Sequence, residues 1–258
     1  MLSGVNLTIE AGEFICVVGQ TGCGKSTLLR VVLGCEQPTE GRILVEGSEV
    51  RHPGRDRGYV PQKYSLFPDR TVIENIIFGP LMEEAKLWSP LLPDYWRRRS
   101  EARATAMKYI AQMGLRPDDA CKYPDELSGG MQQRVAIAQA LIMNPKILLM
   151  DEAFSALDPG TRTDMQRLLR RVWRETGTTV MFVTHNIAEA IFLSTRVVVI
   201  GKENGSEASC IVAEIEIPEY KRLDSGYLCE DEMARVIREI EDTAMGGRIE
   251  QEFAEFGG

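Results

Sequence analysis

The sequence predicts an α/β fold with a mainly parallel sheet, and three observations carry that prediction. Apolar runs at residues 14–18, 147–150 and 179–183 show no alternation, as strands covered on both faces require. Helical stretches follow these runs, the order expected when helices flank a sheet. By contrast, a long segment from about residue 65 to 145 is dominated by helical patterns.

Taken in order, residues 14–18 end in Gly19 and read as a buried strand. Residues 25–33 continue as a helix with Gly34 as its stop. Residues 43–45 and 58–60 look like short strands separated by turn residues, and Gln62 follows directly after the second. The segment 65–145 reads as a helical subdomain broken at Gly79-Pro80, Ser89-Pro90 and Pro93. Within it, residues 102–113 carry apolar side chains at helical spacing, and Ser128 is placed to cap a helix over 131–143. The alternating pattern then resumes: strand 147–150, helix 161–175, strand 179–183, helix 187–193, strand 196–200. Residues 208–217 alternate and read as an edge strand. Met233, Val236, Ile237 and Ile240 share one helical face, so the tail should dock a helix. No internal repeat or low-complexity segment is visible, and the expectation is a single domain over residues 1–258.

Composition narrows the function. A chain of 258 residues can bury one sizeable core, and 44% hydrophobic with 26% charged residues is ordinary for a soluble globular protein. No apolar run approaches the roughly 20 residues of a spanning helix, and the N-terminus shows no secretory signal. The expectation is a cytoplasmic chain linked to any membrane through a partner. The six cysteines form no CxxC pair and only His52 and His185 occur, which argues against a zinc site or a disulfide framework. Cys16 reads as a small buried hydrophobe. Cys23 lies in a glycine-rich loop, either as a small residue that fits or as a reactive thiol. From residue 203 onward there are 15 acidic and 5 basic residues, a net of −10 in a chain of −8, so the remainder carries +2. The acidity belongs to the tail, from about 203 to 258, and the near-neutral body argues against nucleic acid as a partner.

The chemistry begins at Gly19-Gln20-Thr21-Gly22-Cys23-Gly24-Lys25-Ser26, with Thr27 next. This stretch follows a strand and opens a helix, the context that the phosphate-loop motif requires. Glycines let the backbone curl until several N–H groups face one phosphate chain, and the helix N-terminus adds partial positive charge. The motif therefore predicts that ATP is bound, with Lys25 reaching the β- and γ-phosphates and the Ser26 hydroxyl on Mg²⁺. A second apolar strand delivers Asp151 and Glu152. Asp151 is placed to hold Mg²⁺ through water, and Glu152 to take a proton from the attacking water. Two acids after an apolar strand are, in isolation, more often turn or cap residues.

Leu127-Ser128-Gly129-Gly130-Met131-Gln132-Gln133-Arg134 sits before the aspartate strand and resembles the signature of ABC ATPases. The resemblance covers nearly the whole chain. Gln62 matches that family's Q-loop, Ser155-Ala156-Leu157-Asp158 its D-loop, and His185 its switch histidine. It implies a P-loop NTPase core with a mainly parallel sheet, an antiparallel β part and an inserted helical subdomain. It also implies catalytic roles for Glu152, His185 and Gln62, with Gln62 joining Ser26 and Asp151 around Mg²⁺. Ser128, Gly129, Gly130 and Asp158 would act in trans, on ATP bound to the other half of a head-to-tail dimer. That second half would be another copy or a paralogous ATPase. Further implied partners are transmembrane permease subunits and a periplasmic or extracellular solute-binding protein. The chain would sit peripherally at the cytoplasmic face of the inner membrane. Residues 129–138 and 150–158 look most like importer ATPases for nitrate, sulfonates and taurine. The solute itself is not legible, because solute contacts belong to other subunits.

Two features depart from the family pattern. Family members begin with an extra strand and an aromatic that stacks on adenine, whereas here residues 7–14 lead almost directly into the phosphate loop. The expectation is an upstream start, or an adenine held more weakly by about 1 kcal/mol of lost stacking. Phe14 opens a buried strand and reads as core. Residues 86–100 look like an insertion, either touching the permease or anionic lipid heads, or packing its own tryptophans at the surface. Three other functions share parts of this pattern: an exporter ATPase, a soluble ABC protein outside transport, and an inactive truncated subunit.

Overall fold

The computed structural model describes residues 2–63, 65–82, 93–202, 208–217 and 230–244. The chain divides into two compact units, Met1–Pro53 with Trp173–Gly258, and Gly54–Val172.

In the first unit, β1 (Phe14–Gly19) is buried along its apolar length and runs into α1 (Lys25–Leu33). Gly34 ends α1 in the left-handed conformation, its N–H returned to the carbonyls of Arg30 and Val31. A small antiparallel hairpin follows, β2 (Leu44–Val45) with β3 (Ser48–Glu49). Sequence reasoning missed β3: two exposed residues after a turn carry no periodicity. Returning to this unit, the chain forms β6 (Thr179–Val183), α6 (Ile187–Leu193), β7 (Arg196–Lys202), β8 (Ser209–Glu216) and α7 (Glu230–Ala244). β1 pairs in parallel with β6 on one side and β7 on the other. β8 lies at the sheet edge, as its alternating sequence suggested, and pairs antiparallel with β7 with a bulge between Val199 and Ile200. α6 and α7 pack beside β1 and β7. α7 docks through Val236 and Ile240, both essentially fully buried, each worth about 1.5–3 kcal/mol of burial. Phe14 is fully buried and meets the ring of Trp173 edge-on at 5.6 Å, so it is core as expected. Arg196 binds both oxygens of Glu13 at 2.7 and 2.9 Å and the carbonyl of Thr8 at 2.6 Å, and pairs with Glu214. This fastens the approach to β1 onto β7 and β8.

The second unit holds β4 (Arg57–Val60) and β5 (Ile147–Asp151), paired in parallel, and α5 (Pro159–Thr176) as far as Val172. Between them lie α2 (Val72–Met82), α3 (Pro93–Gln112), two short 3₁₀ turns, and α4 (Gly129–Leu141). α2, α3 and α4 pack against one another. Two predicted breaks are corrected. Gly79 and Pro80 lie inside α2 rather than interrupting it. Pro80 forgoes its own backbone N–H bond to the preceding turn, and Gly79 lets Met143 approach: a Cβ there would lie 2.9 Å from its sulfur. Pro93 is the first residue of α3, where its fixed φ and missing N–H suit a helix start.

Part of the expected insertion is therefore ordinary helix. Trp96 is 58% exposed, with the Tyr95 ring edge-on at 5.6 Å and the Arg99 guanidinium 5.7 Å over its own ring. Arg97 bridges Asp94 and Glu101, and Arg98 bridges Asp94. Residues 86–92, Trp88 among them, and much of the acidic tail lie outside the described residues.

Candidate nucleotide site

The phosphate loop leaves β1 at a point where no side chain fits. A Cβ on Gly19 would lie 2.2 Å from the carbonyl oxygen of Ile200 and 2.9 Å from the Cys23 sulfur. Gly22 and Gly24 take φ of 83° and 102°, which favours glycine. Gly24 caps α1 with no side chain to satisfy its first N–H groups, and no acidic residue occupies the first turn. Those donors and the helix dipole suit a phosphate. Lys25 is buried, its Nζ donating to the carbonyls of Gly19 at 2.7 Å and Gln20 at 2.9 Å. The ammonium is thereby held inside the curl of the loop. Cys23 is buried, with its sulfur 3.9 Å from that ammonium. Gln20, Thr21 and Thr27 are exposed, and Ser26 lies half-buried in the first turn of α1. Leu2 covers Gly24, where a Cβ would lie 2.7 Å from its Cγ.

In the other unit, β5 ends on Asp151, and Glu152 follows with φ 44°. A non-glycine residue in this left-handed region costs about 1–2 kcal/mol, and the turn around it keeps it there. The Ser155 N–H donates to the Glu152 carbonyl at 3.0 Å, closing that turn. Gln62 is exposed after β4, and its amide nitrogen donates to the Glu152 carboxylate at 3.3 Å and to Ser155 Oγ at 3.4 Å. Parallel pairing of Val60 with Met150 puts the two strand ends side by side, which is why the contact forms. Sequence reasoning named Gln62 and Glu152 but missed their contact. It also missed Arg162, whose guanidinium donates to the carbonyls of Phe154, Ser155 and Leu157 and holds the loop that follows Glu152. An arginine in a helix gives no sequence signal for such a role.

Ser128 caps α4, its hydroxyl accepting from the Met131 N–H at 3.3 Å. Ser128 is exposed and Gly129 half-buried, whereas Gly130 is buried. A Cβ on Gly130 would lie 2.5 Å from Thr161 Cγ2, so the glycine allows α4 to start against α5. Asp158 caps α5 by accepting from the Thr161 N–H at 3.0 Å. Hydrogen bonds from the Thr161 side chain and backbone hold its carboxyl below the usual aspartate range. Asp158 thus has a capping role in its own chain. His185 is exposed two residues beyond the end of β6, between Thr184 and Asn186. The described residues contain no group of three or more His, Cys, Asp or Glu that could hold a metal ion.

Comparisons with known proteins converge. The family described as ABC transporter matches residues 2–155. The chain is 44% identical over 218 residues to an uncharacterized ABC transporter ATP-binding protein, MJ0412, of Methanocaldococcus jannaschii, covering 84% of this chain and 76% of that one. It is 43% identical over 205 residues to the nitrate import ATP-binding protein NrtD of Synechocystis sp., covering 80% and 72%. With the bicarbonate transport ATP-binding protein CmpD of the same organism it shares 40% over 232 residues, covering 90% and 77%. Among solved structures, a dimeric post-hydrolysis state of the ATP-binding cassette MJ0796 bound to ADP and Pi aligns with a TM-score of 0.67 at 32% identity, covering 84% and 90%. The cbiO1 subunit from Clostridium perfringens, part of the ABC transporter complex cbiONQ, aligns with a TM-score of 0.70 at 26% identity, covering 96% and 92%. The chain belongs to the ABC transporter family and is one of its ATP-binding, ATP-hydrolysing subunits.

Proposed function

We propose that the chain powers uptake of a small inorganic anion of the nitrate or bicarbonate kind through a partner permease. The observation that carries this reading is the 40–43% identity, over most of the chain, to ATP-binding subunits named for nitrate import and bicarbonate transport. No described helix is long and apolar enough to cross a membrane. The permease would therefore supply the channel and hold the chain at the cytoplasmic face, with a solute-binding protein delivering cargo.

Each residue of the site has a part in this cycle. Gly19 to Thr27 hold the phosphates, and Lys25 supplies the cation for the β- and γ-oxygens. The Ser26 hydroxyl, the Asp151 carboxylate and the Gln62 amide oxygen are hard oxygen donors of the kind that would hold Mg²⁺. When bound, that ion neutralises charge between the β- and γ-phosphates. Glu152 takes a proton from the water that attacks the γ-phosphorus, while the bond to the ADP oxygen breaks. His185 orients that γ-phosphate. Ser128, Gly129, Gly130 and Asp158 serve the nucleotide held by a second copy, so that ATP closes the dimer and phosphate loss releases it.

Reconstitution with a partner permease and solute-binding protein tests the direction and the cargo. ATP-dependent accumulation of labelled nitrate or bicarbonate inside vesicles bearing the ATPase on their outer face would be export from that face, opposite to the proposal. Accumulation only in vesicles with the ATPase and ATP enclosed is the expected result. Failure of both anions, with another solute transported, would overturn the cargo reading alone.

A further inference from the structure

We infer that Thr184 and Glu189 are positioning residues for His185, fixing the turn that carries its ring. The inference rests on the proposed role of His185. It begins where β6 ends. The Thr184 N–H donates to the carbonyl of Val17 at 3.1 Å, so the register with β1 continues one residue beyond Val183. Val17 lies two residues before Gly19, so the start of the turn is tied to the strand that carries the phosphate loop.

The Thr184 hydroxyl is the hub of this turn. Its oxygen accepts from the Asn186 N–H at 3.0 Å, and its proton goes to Glu189 Oε2 at 2.6 Å. Asn186 Oδ1 accepts in turn from the Glu189 N–H at 3.0 Å, starting α6. His185 is bracketed by two pinned neighbours while it remains exposed itself. The anchors are not exposed: Thr184 is 2% and Glu189 6% accessible.

This arrangement is more than a strand end needs. Asn186 alone caps α6 by accepting the Glu189 N–H. A buried carboxylate is costly to keep, and an alanine would serve α6 at lower cost. What the carboxylate adds is a charge-assisted bond, roughly twice as strong as a neutral one, that fixes the threonine hydroxyl and leaves its oxygen aimed at Asn186. Displacing a reacting or orienting group by about 1 Å can cost on the order of 100-fold in rate. A ring on an exposed turn gains most from anchors beneath it.

The test uses the full chain and steady-state hydrolysis, with ATP affinity and melting temperature measured alongside. Thr184→Val should lower kcat about tenfold while ATP affinity stays within about twofold, and Thr184→Ser should restore most of the rate. The deciding comparison places Thr184→Val on a His185→Ala background. A residue that acts through His185 has nothing further to remove there, so the double variant should match His185→Ala alone. Wild-type kcat in Thr184→Val, or the same tenfold loss on the His185→Ala background, overturns the inference. If Thr184→Val does not fold, Glu189→Gln keeps the shape without the charge. It should cost about threefold in kcat, again with no further loss on the His185→Ala background. His185→Ala hydrolysing at the wild-type rate would instead remove the role of His185, and the inference with it.

Discussion

The Gln62 amide donates to the Glu152 carboxylate at 3.3 Å, although 90 residues separate the two in sequence. Parallel pairing of β4 and β5 makes the contact, since the two strands end together. The same amide nitrogen reaches Ser155 Oγ, so Gln62 is held by both a carboxylate and a hydroxyl. An amide also offers an oxygen, which is the atom a magnesium ion would use. One side chain can thus face the Glu152 carboxylate with its nitrogen and still offer an oxygen.

Lys25→Ala should weaken nucleotide binding itself. The ammonium is the buried cation of the loop, and hydrogen bonds to charged groups are each worth about 1.5–3 kcal/mol, or roughly 10- to 150-fold in Kd. Equilibrium titration with a fluorescent ATP analogue reads this directly. Wild-type affinity would mean that the loop is not used as described.

Two glycines should respond differently to alanine. At Gly19 the new Cβ would lie 2.2 Å from a backbone carbonyl oxygen, so the phosphate loop or β7 must shift, at about 1–3 kcal/mol. At Gly79 the obstacle is the flexible end of Met143, and alanine is better than glycine inside a helix by roughly 1 kcal/mol. Thermal melting should therefore fall clearly for Gly19→Ala and stay near wild type for Gly79→Ala. Equal losses would refute this packing account.

Acid should loosen the 3₁₀ turn between α3 and α4. Asp119 is buried, and its carboxyl is held below the ordinary range by Lys122, 2.6 Å away, and by the Arg116 N–H. A lowered folded pKa means stability that is fully present above the unfolded value of about 3.9 and is lost as pH falls through the folded value. Asp119→Asn should thus melt lower at pH 7, and its deficit should shrink below about pH 4. A deficit independent of pH would mean that charge is not the cause.

Legibility tracks the length scale of each feature. Gly19 and Gly24 are readable because a backbone that curls between a strand and a helix through positive φ needs glycine at fixed positions. Residues 25–33 and 187–193 are readable because caps and apolar period agree. The exposed pair Ser48 and Glu49 forms a strand with no pattern to announce it. Gly79-Pro80 misleads because α2 packs against α3 and α4, and the Met143 side chain that lies against Gly79 comes 64 residues later in sequence. Arg162 and Glu189 give no signal for the same reason: each acts through backbone or hydroxyl groups that only the fold brings close.

The central claim is that Glu152 is the base for ATP hydrolysis. Glu152→Gln keeps the side chain's shape and removes its basicity, so the account predicts wild-type ATP affinity and a kcat lower by about 100-fold or more. With ATP and magnesium the variant should elute as a stable dimer on size-exclusion chromatography, because closure persists when hydrolysis stops. Steady-state hydrolysis at the wild-type rate in this variant would contradict the account.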